Sequence, residues 1–62
     1  MYKHIYILSN KGATKNYIKR VFNDGFSFTL DRNEALPFSV DDTKSLLKMT
    51  ESFDFKFYEE AS

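Results

Sequence analysis

Two β-rich runs, residues 17–22 and 26–30, flank Asn23-Asp24-Gly25, and this constrains the chain more than any other feature. Asp-Gly between such runs is a strong hairpin signal, because Gly accepts the positive φ that a tight reversal needs. The reading therefore places Gly25 at positive φ in a central hairpin. In the run after the turn, Phe26, Phe28 and Leu30 point one way and Ser27 and Thr29 the other, the alternation of a strand with one wet face. In the run before it, regular alternation groups Tyr17, Lys19 and Val21 against Ile18, Arg20 and Phe22, so neither side is purely apolar.

Only 62 residues and no cysteine accompany this hairpin. A chain of that size buries only about 60% of the surface its unfolded form exposes. Without thiols it has no disulfide or thiolate metal site to compensate. The seven Phe and four Tyr must supply the core, since each ring buries roughly 150–250 Å². No apolar run approaches the ~18 residues of a membrane span. The apolar stretch after Met1 is too short for a signal peptide. The expectation is one soluble cytoplasmic domain over residues 1–62.

Residues 2–8 read as a central strand, with Ile5 and Ile7 on one face and His4, Tyr6 and Leu8 on the other. Residues 9–16 are polar and form a loop. Residues 31–38 predict a helical turn, with Asp31 and Glu34 as a capping box, then Pro37 as a stop that delivers Phe38 to the core. Ser39 is a good N-cap for a helix over about 40–50, with Asp41 and Asp42 at the positive end of its dipole and Val40, Leu46, Leu47 and Met49 as its apolar stripe. Residues 53–58 alternate strictly, which predicts a last strand with Phe53, Phe55 and Phe57 on the core and Tyr58 outward, followed by a frayed acidic end. The predicted fold is α+β: a small mixed, mostly antiparallel four-stranded sheet in the order β-β-β-α-β. One helix covers one face, and the last strand runs parallel to and beside the first.

The formal net charge is zero, but residues 1–22 carry five cations and no acid, while residues 23–62 carry nine acids against four bases. The single His and the scattered carboxylates offer no acid/base pair or metal set, so the reading is non-enzymatic, with no cofactor and no metal. His4 reads as a structural imidazole on an inner strand. Two surfaces remain as binding candidates. The first is acidic and suits a protein partner: Asp41, Asp42, Glu51, Tyr58, Glu59 and Glu60. The alternative is a nucleic-acid surface built on Lys11, Lys15, Lys19 and Arg20, with nearby tyrosines available to stack on bases. A helix-free sheet face rich in Tyr and Leu also predicts a homodimer, formed through that face or an unpaired edge strand.

Two resemblances bear on these alternatives. Residues 5–10 and 25–30 loosely resemble the aromatic strand signatures of RNA-recognition-motif domains, although residues 9–16 leave no room for the helix that family places between its first two strands. Over residues 17–58, the hairpin, Gly25-Phe26-Ser27-Phe28-Thr29, and Asn33-Glu34-Ala35-Leu36-Pro37-Phe38 leading into a Ser-capped helix are similar to small accessory proteins of phages and prophages of Gram-positive bacteria. That resemblance implies no catalytic residue and no cofactor. It implies a protein that binds and redirects or inhibits a host macromolecule, including defence systems.

Overall fold

A computed structural model describes residues 1–61. Strand β1 (Tyr2–Ser9) is the centre of the sheet, β2 (Thr14–Phe22) and β3 (Gly25–Thr29) follow as antiparallel neighbours, and a 3-10 turn (Arg32–Glu34) leads to a two-residue strand β4 (Phe38–Ser39). Helix α1 (Val40–Met49) and strand β5 (Tyr58–Ala61) complete the order. The chain is thus a small α+β fold with one helix on a mostly antiparallel sheet, as the sequence predicts.

Strand β1 has three partners but only two edges. Its residues 6–9 pair with β2, residues 2–3 with β4 and residues 3–6 with β5, all antiparallel. The Leu36 N–H donates to the Ile18 carbonyl at 2.9 Å, which lays the approach to β4 beside β2. Strands β2 and β4 therefore share one edge of β1 and β5 takes the other. Both edges are occupied at Tyr6, opposite Tyr17 and Tyr58, and again at Lys3, opposite Phe38 and Ala61.

Strand parity sorts the side chains. Ile5, Ile18, Phe38, Leu46 and Phe57 form the buried core, with Ile7, Phe26, Phe28 and Leu47 packed against it. Helix α1 lies on this side. Ser39 Oγ accepts from the Asp42 N–H at 3.1 Å, the N-cap the sequence predicts, and Thr43 and Leu46 are its buried positions. Asp31 likewise accepts from the Asn33 N–H at 2.9 Å and caps the 3-10 turn. Glu34 does not reach back to it; it pairs with Lys19 at 3.3 Å.

The structure corrects four local expectations. First, a register shift between Ile18 and Arg20 makes Lys19 a bulge. The extra residue resets the alternation, so Ile18 and Val21 share the core side with Phe28 and Phe26, while Arg20 turns outward opposite Ser27. Bulges also bend a strand, and here the Phe26 ring comes within 5.5 Å of Phe57. Second, the last strand is residues 58–61 and not 53–58, and it runs antiparallel to β1. Residues 50–57 instead carry the chain from the end of the helix to the edge of β1 that β2 and β4 leave free. Of the three expected core rings only Phe57 is buried; Phe53 and Phe55 are exposed. Third, Leu30, Val40 and Met49 are exposed, because β3 ends at Thr29 and the buried helix stripe is narrower than the apolar one.

Fourth, Gly25 opens β3 opposite Phe22 without positive φ; the left-handed residues are Asn10, Lys11 and Gly12, at φ 52, 58 and 90°. The β1–β2 turn, not the β2–β3 turn, therefore holds the demanding backbone. A Cβ at Gly12 meets nothing within 4 Å, so the cost of adding one is conformational. Gly12→Ala is expected to lower stability by about 1 kcal/mol, and Gly25→Ala to change it by less than ~0.5 kcal/mol. Urea denaturation of both variants checks this ordering.

Candidate functional site

On the helix-free face, three tyrosines cross the sheet in one row. The Tyr6 ring lies 5.7 Å from Tyr17 and 5.5 Å from Tyr58, the second pair stacked at 18°. Lys15 Nζ sits 4.8 Å over the Tyr6 ring and Lys56 Nζ 5.3 Å over Tyr58, within cation–π range. His4 is buried beside this row, its Nδ1 3.4 Å from the Leu36 carbonyl oxygen and its ring edge-on to Tyr17. It is thus a buried ring on the central strand, where the sequence reading placed it.

Glu60, opposite His4 on β5, ties the row together. Its carboxylate accepts from Lys15 Nζ at 2.6 Å, Arg32 Nε at 2.7 Å and Tyr17 Oη at 3.2 Å. Arg32 also donates to the Ala61 carbonyl at 2.7 Å. The bond from Lys15, then that from Arg32, hold the Glu60 carboxyl down from 4.5 to about 2, against a smaller opposing effect of desolvation. Burial, and then the Glu60 charge, push the Tyr17 hydroxyl up, while the bond to Glu60 raises Lys15.

Because folding depresses the Glu60 pKa, the unfolded chain binds the extra proton between pH 4.5 and about 2. Its stabilisation is complete above that window and is lost as pH falls through it. Glu60→Gln is expected to flatten the acid limb of the melting curve over that range. An unchanged limb would show that the carboxylate does not anchor β5.

The helix side carries a different surface. Where the β2–β3 hairpin bends over the end of α1, three adjoining depressions of about 490, 480 and 610 Å³ form a continuous groove. The first and second share Val21 and Met49, and the second and third share Phe53 and Phe55. Local chemistry explains why these side chains are left open. Thr50 closes the helix, its Oγ1 donating to the Leu46 carbonyl at 2.9 Å. A turn from Thr50 to Phe53 follows, and Phe53, Phe55 and Phe57 then pack on one another at centroid distances of 5.3–6.1 Å. The exposed apolar side chains of the groove run from 36% at Leu36 to 59% at Met49, with Phe38, Leu46 and Phe57 buried beneath them. The helix-free face carries the tyrosine row together with Lys and Arg stems, and its Tyr2 and Leu8 are 56% and 37% exposed.

The acidic candidates do not share one surface. Asp42 and Glu51 line the groove, Asp41 lies in the first turn of α1, and Glu59 pairs with Lys3 near the helix start. Tyr58 and Glu60 belong to the helix-free face. The basic segment is partly neutralised, Lys15 by Glu60 and Lys19 by Glu34. Among the described residues Lys11 and Arg20 carry no ion pair. Met49, Phe53 and Phe55 were not foreseen as surface residues, and Asp54, expected to face outward, was not foreseen as part of a site. The failure of regular alternation to give residues 17–22 an apolar side was the one signal that could have exposed the bulge.

The chain matches no known family, no curated protein and no solved structure.

Proposed function

We propose that the chain is a non-enzymatic protein-binding module, a phage-type accessory protein that occupies the surface of a macromolecule in the cytoplasm of a bacterial host and modulates or inhibits it. The observation that carries this reading is the groove from Leu36 to Phe55. Contiguous exposed apolar surface of this kind marks interaction sites in small proteins, and Phe and Met are enriched in the centres of interfaces. A second reading has its own observation: Tyr6 and Tyr58 with Lys15 and Lys56 at hand offer stacking rings beside cations, the minimum for single-stranded nucleic acid.

The two readings separate in one experiment. The immobilised chain is expected to retain a bacterial protein after nuclease digestion, and Met49→Ser/Phe55→Ser to lose it while keeping a native circular-dichroism spectrum. Retention by that variant, together with salt-sensitive binding of a labelled oligonucleotide that Lys15→Ala abolishes, would move the function to the tyrosine face.

A further inference from the structure

The rim of the groove has a chemistry as definite as its floor. Asp42 borders the first depression, Asp24 the second, and Glu51 and Asp54 the third. None of the four has an ion-pair partner among the described residues. The one base on the rim, Lys56, has its ammonium over the Tyr58 ring. An apolar trough is therefore edged by four carboxylates against one lysine in a chain of zero formal net charge.

Resting on the protein-binding reading, we infer that the groove takes a cationic amphipathic helix of a partner protein, its apolar side chains seated in the three depressions and its Lys and Arg residues facing the rim. Three depressions in series suit anchors at i, i+3 or i+4, and i+7 on one helix face. The floor of Phe and Met side chains adapts to anchors of different shape, Met being flexible and polarisable. The rim sets polarity: opposite charges across an interface speed association and like charges reject the wrong partner. A second copy of the chain fits poorly, because two-fold pairing of this surface with itself brings eight carboxylates together. Phosphate-rich surfaces are repelled for the same reason.

Fluorescence anisotropy with labelled model peptides tests this. The probes are a Leu/Lys peptide with Leu at helical spacing, a Leu/Glu peptide of the same pattern, and a Leu/Lys peptide of scrambled order. The first is expected to bind at least roughly tenfold more tightly than either of the others at low salt. Its advantage over the Leu/Glu peptide should shrink as salt screens the rim. Met49→Ser/Phe55→Ser should abolish binding, and Asp42→Lys/Glu51→Lys/Asp54→Lys should shift the preference to the Leu/Glu peptide. Equal binding of the Leu/Lys and Leu/Glu peptides would overturn the charge selectivity and leave the protein-binding groove standing. Equal binding of the scrambled peptide would reduce the effect to bulk charge and overturn the inference. Binding of neither patterned peptide would remove the groove as a helix site, and with the pull-down unaffected by Met49→Ser/Phe55→Ser it would remove the protein-binding reading too. A sedimentation mass of twice 7.3 kDa that Met49→Ser restores to one chain would assign the groove to a second copy and overturn the inference.

Discussion

Phe57→Ala is expected to unfold the chain at 37 °C, whereas Phe55→Ala, two residues away, leaves it folded. Phe57 is 6% exposed and Phe55 46%. The buried ring touches Phe26 at 5.5 Å and Phe53 at 6.1 Å and belongs to the core cluster with Ile5, Ile18, Phe38 and Leu46. Truncating a buried Phe costs about 3–5 kcal/mol, the lost transfer energy plus the cavity left behind. A domain of this length has a total stability of roughly 3–9 kcal/mol, so the loss is of the same order as the whole. At position 55 the ring already faces water on one side, and the expected cost is about 1 kcal/mol or less. Thermal melting of the two variants gives the answer; equal midpoints would mean that the three rings share their burial.

Ile5 should show the second large effect. Among the described residues it is one of two side chains with no exposure, the other being Ile18, and it sits in the strand that takes part in every sheet pairing except β2–β3. Ile5→Ala is expected to cost about 2–5 kcal/mol, and Ile5→Val, which removes one methylene, about 0.5–1.5 kcal/mol. The gradation separates a packing role from a backbone one. Similar losses for both variants in urea titrations would show that the strand, and not its side chain, is the sensitive element.

These positions also show what the sequence made legible. The faces of β1, the alternation of β3 and the Ser39-capped helix were readable because each rests on local signals: a period of two, a period near 3.6, and a hydroxyl before two acids. The last strand was not readable. Phe53 to Tyr58 alternates as a strand would, but pairing needs a free edge within reach, and the helix ends where residues 50–57 must serve as the crossing. Conversely, Tyr58-Glu59-Glu60-Ala61 has little intrinsic strand preference. Its partners hold it in place: Tyr6 under Tyr58, Lys3 on Glu59, and Lys15, Arg32 and Tyr17 on Glu60. Those partners are distant in sequence. The bulge at Lys19 carries no marker residue, and the groove depends on both of these unread features, the bent hairpin on one side and the phenylalanine crossing on the other. The acidic candidates were consequently recognised as residues, two of them on the groove, but not as members of separate surfaces.

The central place of β1 bears on the order in which the chain can acquire its structure. The strand is made before its partners, yet its pairing with β5 joins Lys3 to Ala61. Only the β1–β2 and β2–β3 hairpins connect strands that adjoin in sequence. These can close in microseconds, whereas contacts spanning nearly the full length carry a large loop-closure entropy and slow the final step. Until β5 arrives, one edge of β1 stays open and Lys15, Tyr17 and Arg32 lack their shared carboxylate. A nascent chain stalled before residue 58 would thus present an unpaired strand edge, the kind of surface that chaperones hold and that neighbouring chains can wrongly complete.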